Sequence, residues 1–161
     1  MPAHDYDAII VGAGPVGGHL GRVLSEHGLH VLMLEEHREI GKPFQCAGLV
    51  TPSAMERVEL YDTILSDVWG ARMYSPKGSP VEIGQPNVIR THVVCRKLFD
   101  EGCVRQAIEA GATLWLEDGS VVEVLAPSPD GRTVRVRYVE SPFDASLEGT
   151  QVDCTDYDII S

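Results

Sequence analysis

Basic residues are scarce in this chain: 13 lysines and arginines stand against 24 aspartates and glutamates in 161 residues, a formal net charge of −11. That balance excludes nucleic acid and an anionic membrane surface as electrostatic partners, and the even spread of the acids reads as a solvated exterior. The four cysteines, Cys46, Cys95, Cys103 and Cys154, are far apart and form no C-x-x-C pair, so neither a zinc site nor a dithiol motif is indicated. A reducing cytoplasm is the compartment this predicts. No run approaches the roughly 20 apolar residues of a membrane span, and the start MPAHDYD has neither a basic segment nor an apolar core. Any membrane contact is therefore expected to be peripheral. His27 and His30 straddle a predicted helix end and strand start, which disfavours a shared metal.

What is present is concentrated between Asp5 and Glu35. Asp7 to Val11 is a short apolar run suited to a buried parallel strand. Gly12, Gly14 and Gly17 follow at the G-x-G-x-x-G spacing. The first glycine allows a sharp turn, the second a close approach of backbone to a pyrophosphate, and the third close packing of helix on strand. Pro15 suits a first helical turn, where its missing N–H costs nothing. Val16, Leu20, Val23 and Leu24 recur at helical spacing and predict the apolar face that meets the sheet. Gly28 ends the helix, Val31 to Leu34 forms a second strand, and Glu35 stands where a carboxylate can accept from ribose hydroxyls, with Glu36 as the adjacent alternative. An anion at the turn would be held by free N–H groups and by the helix dipole, about half a positive charge. Gly17, Gly18 and Gly21 each cost a helix about 0.5–1 kcal/mol relative to alanine. An ordinary glycine-rich turn has no reason to carry all three, so a dinucleotide site is the better reading.

Further on, residues 37–52 read as a loop containing Phe44, Cys46, Leu49 and Val50. A short helix through about Leu60 starts either at a capping box Ser53–Glu56 or at Thr51 followed by Pro52. Val68–Ser75 and Ser79–Gly84 predict an inserted hairpin turning at Pro76-Lys77-Gly78. His92–Cys95 reads as a strand, and Arg96–Ala110 as a helix with Leu98, Phe99, Cys103, Ala107 and Ile108 near one face. Thr113–Leu116, Val121–Leu125, Thr133–Val139, Gln151–Cys154 and Tyr157–Ile160 have strand composition, with a turn at Pro129-Asp130-Gly131. The fold class is α/β: a Rossmann-like parallel sheet with an inserted antiparallel portion over roughly residues 65–92, incomplete at its C-terminal end.

Gly12, Gly14, Gly17, Gly21, Gly28, Val31 and Glu35 together match the extended pattern G-x-G-x-x-G-x-x-x-G followed by G-x-x-V-x-x-x-E. This resembles the FAD-binding start of the flavoproteins grouped with glutathione reductase and p-hydroxybenzoate hydroxylase. Within them, IGKPFQCAGLV and CRKLFDEGCVRQAIEAGATLW resemble the geranylgeranyl reductase family, especially the archaeal enzymes that saturate isoprenoid lipid chains. The resemblance makes residues 1–161 the N-terminal part of an FAD-binding domain, with residues 65–92 contributing to the substrate side. It places Gly12, Gly14, Pro15 and Gly17 on the FAD pyrophosphate, Glu35 or Glu36 on its ribose, Arg96 beside the cofactor, and the backbone of Val122 at the adenine. It puts Cys46, Ala47 and Gly48, in the P-x-x-C-A-G loop, near the flavin ring, with Cys46 as the catalytic candidate. On chemistry alone, Arg96 reads equally as a solvated helix-start residue and Cys46 as a small buried hydrophobe.

The implied substrate is an isoprenoid lipid precursor, and the implied electron donor is NADPH, NADH or ferredoxin. Family members continue past a strand like Tyr157–Ile160 into a second glycine-aspartate segment, so the resemblance implies a longer enzyme of which these residues alone would be inactive. Two other functions share the nucleotide half: an FAD monooxygenase of the hydroxylase branch, and a nucleotide-binding module without catalysis.

Overall fold

A computed structural model of the chain describes residues 6–44 and 46–116, together with the strand residues 123–124 and 136–137. The first strand, β1 (Ala8–Val11), lies parallel to β2 (Val31–Glu35), which in turn lies parallel to β8 (Thr113–Leu116), giving the order β1-β2-β8. Val31 to Leu34 are all buried, Val31 and Met33 in the core with Val104 and Ala107, so both faces of β2 are covered and its apolar run does not alternate. The start of β1 is tied down by Asp7, whose carboxylate accepts from the backbone N–H of His30 at 2.8 Å. The fully buried expectation for β1 fails: Ile10 is buried, but Ile9 and Val11 are exposed, Val11 at 64%. Among the described residues β1 is an edge strand and alternates as a half-covered strand does.

Helix α1 (Pro15–Glu26) connects β1 to β2, and its packing corrects half of the predicted face: Leu24 packs against the core, but Val16 and Leu20 do not. Val16 is 82% exposed and Leu20 is also exposed, whereas the buried positions are Gly18, Gly21 and Ser25. The buried side is glycine because the long helix α3 (Arg96–Glu109) lies directly against it: a Cβ on Gly18 would come within 2.8 Å of the backbone carbon of Cys103. Close helix contact of this kind requires small residues, and an apolar stripe of branched side chains would hold α3 away. Helix α3 itself is covered on more than the one predicted face. Lys97, Asp100, Gly102 and Val104 are buried along with Phe99, Cys103 and Ala107. Its Val104 and Ala107 enter the core with Ile10, Met33, Ile40 and Leu116. Phe99 and Cys103 enter a second core with Met55, Val58 and Val94.

Helix α2 (Pro52–Val58) starts at Thr51, whose hydroxyl accepts from the N–H of Ala54 at 3.3 Å, so the Ser53–Glu56 capping box is not the start. It ends before Leu60, at Glu59 in the left-handed region (φ 56°). Its last carbonyls are taken up by neighbours: Arg22 Nη2 donates to Arg57 O at 3.0 Å and Gln106 Nε2 donates to Val58 O at 2.7 Å. Arg22 Nη1 also donates to Gln106 Oε1 at 2.9 Å, so one small network ties α1, α2 and α3 together.

Two strands were hidden within segments read otherwise. The two-residue β3 (Leu49–Val50) lies in the predicted loop, and β4 (Ile64–Val68) precedes the predicted hairpin after a 3₁₀ turn at Tyr61–Thr63. Both pair antiparallel with β7 (Thr91–Val94), in the order β3-β7-β4. His92 Nδ1 and Asp67 Oδ1 meet at 2.6 Å across this sheet. The predicted strand Val68–Ser75 therefore divides: Val68 closes β4, and β5 (Gly70–Tyr74) pairs with β6 (Pro80–Gly84) as a separate antiparallel hairpin. Strands β9 (Glu123–Val124) and β10 (Val136–Arg137) pair antiparallel. Val122, the turn Pro129-Asp130-Gly131, and the segments Gln151–Cys154 and Tyr157–Ile160 lie outside the described residues, as does most of Val121–Leu125 and Thr133–Val139.

Candidate cofactor-binding site

The site is built where β1 turns into α1. Gly12 takes φ +98°, a conformation that side chains disfavour, while its N–H still donates to Leu34 O at 2.7 Å. The chain therefore turns without leaving the sheet. Ala13 follows, buried, and its N–H donates to Glu35 Oε2 at 2.8 Å. Gly14 is the N-cap of α1 and Pro15 its first residue; the cap makes no side-chain hydrogen bond and the first turn carries no acid. An α-helix leaves its first N–H groups without intrahelical partners, so this end can receive an anion.

That end opens into a cleft of about 240 Å³. Gly14, Pro15 and Ala13 form one wall, Glu35, Glu36 and His37 a second, and Lys42, Pro43, Phe44 and Cys46 a third. Arg96 and Asp100 close it from the first turn of α3. The volume is below the range of about 300–1,000 Å³ for whole small-molecule pockets, so it suits part of a dinucleotide. A Cβ built on Gly14 meets nothing within 4 Å, so the protein's own packing does not demand glycine there. Gly17 differs, since a Cβ there would overlap the carbonyl oxygen of Gly12. The turn thus keeps a vacant approach at Gly14 and a packed one at Gly17, the arrangement a pyrophosphate needs.

Glu35 is nearly saturated by the protein. Besides Ala13, its carboxylate accepts from the N–H of His37 at 3.1 Å and contacts His37 Nδ1 at 2.6 Å. The remaining lone-pair positions are what a ribose can use.

On the opposite side, Arg96 makes a bidentate pair with Asp100, Nε to Oδ1 at 2.9 Å and Nη2 to Oδ2 at 2.8 Å. Burial pushes the Asp100 carboxyl up despite the pull of Arg96, and Asp100 in turn holds the Arg96 guanidinium above its usual value. Cys46 is exposed, which corrects the alternative of a small buried hydrophobe. The backbone N–H of Gly48 lowers its thiol below the ordinary cysteine value, with the Arg96 guanidinium adding to the effect. Gly48 itself is pinned: at φ +73° a Cβ would lie 2.5 Å from Val94 O.

The structure thus brings Gly14, Pro15, Glu35, Glu36, Cys46 and Arg96 around one cleft, with Gly12 and Gly17 shaping it from behind and Gly48 beneath Cys46. Ala47 is exposed and is not among the cleft residues. Ala13, His37, Lys42, Phe44 and Asp100 join the site without having been singled out in the sequence. Only Asp100 left a signal, four residues after Arg96 on a helix.

Residues 5–62 match the family model described as an FAD binding domain. The chain is 37% identical over 111 residues to a digeranylgeranylglycerophospholipid reductase from Methanosarcina acetivorans, covering 66% of this chain and 27% of the relative. A geranylgeranyl bacteriochlorophyll reductase-like protein from Thermoplasma acidophilum superposes with a TM-score of 0.70 at 27% identity, covering 83% of this chain and 35% of that one. The fold is also shared with a halogenase solved in complex with phloroglucinol and FAD, at a TM-score of 0.62 and 18% identity, covering 86% of this chain and 32% of that one. The chain thus spans 27% of the Methanosarcina relative's length. Residues 5–62 are therefore an FAD-binding unit, and the chain is a homologue of the geranylgeranyl reductase family of FAD-dependent oxidoreductases.

Proposed function

We propose that the protein to which these residues belong saturates isoprenoid double bonds in membrane-lipid precursors. The observation that carries the reading is one cleft lined by the open N-terminus of α1, by Glu35 and by Cys46. The names of the reductase relatives support the substrate class. Gly12, Gly14, Pro15 and Gly17 seat the pyrophosphate on the helix end, and Glu35, or Glu36 beside it, accepts from the ribose. Arg96 lies beside the cofactor, Ala47 and Gly48 follow Cys46 in the loop that approaches the ring, and Val122 offers its backbone to the adenine. Bound and reduced, FAD supplies the hydride equivalent. Cys46 supplies the proton: its Sγ–H passes to one alkene carbon, and the thiolate left behind is steadied by the Gly48 N–H and Arg96 until water reprotonates it.

The inserted strands over residues 65–92 form the substrate side. In support, Ala71 faces Ile83 and Met73 faces Val81 across the hairpin, giving one apolar face, while Arg72 and Glu82 pair on the other at 2.7 Å. Electrons come from NADPH, NADH or ferredoxin. The enzyme is cytoplasmic and meets its lipid at the membrane surface; no helix among the described residues is long and apolar enough to cross a membrane.

The test is Cys46→Ala in the full-length enzyme. It should keep its FAD and accept electrons from a chemical reductant, yet reduce isoprenoid substrate at least about tenfold more slowly, roughly 1.4 kcal/mol of barrier. Normal turnover would remove Cys46 from the chemistry. The second reading is an oxygen-using FAD monooxygenase built on the same FAD-binding residues 5–62. Rapid oxygen consumption with an aromatic substrate would favour it.

A further inference from the structure

Arg96 lines the cleft with its guanidinium held by a carboxylate on the same helix. Asp100 stands one turn into α3, 5% exposed, and accepts from both Nε and Nη2 of Arg96. A guanidinium carries its five N–H bonds in a rigid plane. With the Nε/Nη2 edge engaged, the hydrogens that remain lie on the edge toward Nη1. Cys46 and Arg96 line the same cleft, and the guanidinium is near enough to help lower the Cys46 thiol. The loop that delivers Cys46 is itself held to α3. A Cβ on Gly41 would lie 2.9 Å from the Cα of Lys97, and Glu39 reaches Lys42 at 2.8 Å and Lys97 at 3.8 Å.

We propose that Asp100 is a positioning residue: its buried carboxylate grips one edge of the Arg96 guanidinium so that the other edge is presented to Cys46 and to an anion entering the cleft. For the identity of that anion the proposal rests on the reading of the cleft as the flavin site. A lysine at position 96 could supply charge but not a second edge, and an arginine without Asp100 would be free to turn toward solvent.

The experiment follows alkylation of Cys46 by iodoacetamide across the neutral pH range, read by peptide mass spectrometry, so that Cys95, Cys103 and Cys154 need not be altered. In Asp100→Asn the amide still accepts from Nε but cannot accept from Nη2, and the alkylation midpoint should move up, with the neutral-pH rate falling on the order of tenfold. Asp100→Glu should restore part of the rate. An unchanged or lowered midpoint in a folded Asp100→Asn protein overturns the proposal. Should that variant fail to fold, Arg96→Lys carries the same expectation, and a wild-type profile there overturns it equally. Added FAD separates the two readings. Protection of Cys46 supports the cleft as the flavin site, while an Asp100 effect without protection upholds the positioning role and sinks the flavin assignment.

Discussion

Gly17 packs against Gly12 so tightly that a Cβ on the former would overlap the carbonyl oxygen of the latter. Three residues earlier, Gly14 faces open space. The two glycines therefore fail in different ways. Gly14→Val should fold with a near wild-type melting temperature but lose FAD, because a side chain there fills the approach to the helix end. Gly17→Val should lose the fold as well. Circular dichroism melts with quantification of released flavin distinguish the two, and a yellow Gly14→Val protein would show that the turn is not the site.

The α1–α3 contact makes a second paired prediction. Alanine at Gly18 would press on backbone, 2.8 Å from the Cys103 carbon and 2.9 Å from the Val104 nitrogen, and should cost about 1–3 kcal/mol. Alanine at Gly21 meets the Met33 sulfur at 2.7 Å, the end of a flexible side chain, and gains about 1 kcal/mol of helix propensity. Chemical denaturation should show Gly18→Ala clearly weaker and Gly21→Ala within about 1 kcal/mol of wild type.

Glu35→Gln should weaken FAD binding on the order of tenfold, since hydrogen bonds to a charged acceptor are about twice as strong as those to a neutral one. The glutamine has one acceptor oxygen where the carboxylate serves both Ala13 and His37, so a lower melting temperature should accompany the loss. Fluorescence titration measures the affinity. If it is unaltered, the ribose partner is Glu36.

Cys103 and Cys46 should separate by reactivity. Burial pushes the Cys103 thiol from 9.0 to about 12, whereas Cys46 lies below the ordinary value. A thiol whose folded value is raised contributes stability that is whole below its unfolded value and declines as pH rises through the folded one. Stability should therefore fall in the window from 9.0 toward about 12, and Cys103→Ala should flatten that fall while lowering stability at neutral pH. Melts across alkaline pH measure it, and equal alkylation of the two native cysteines at neutral pH would contradict the assignment.

The turn from Val11 to Pro15, the order β1-α1-β2 and the place of Glu35 were legible in the sequence, because each follows from local demands: a glycine where φ is positive, a proline where no N–H is needed, an acid at a strand end. Strand β3 was not legible, since two residues, Leu49 and Val50, acquire strand geometry only by pairing with β7. Nor was β4, whose Ser66 and Asp67 interrupt an apolar pattern that a bulge accommodates.

The face of α1 shows most clearly where local reading ends. By itself the sequence determined that α1 is a helix and that something must come close to Gly14 and Gly17. Only the tertiary structure decided that α3 lies on Gly18 and Gly21, leaving Val16 and Leu20 exposed, and that Asp100 reaches Arg96 within a cleft whose third wall comes from Lys42, Pro43, Phe44 and Cys46. Periodicity reports which side of a helix carries apolar atoms. Which side is buried depends on how near the neighbour can come, and here the absence of side chains allows the closest approach.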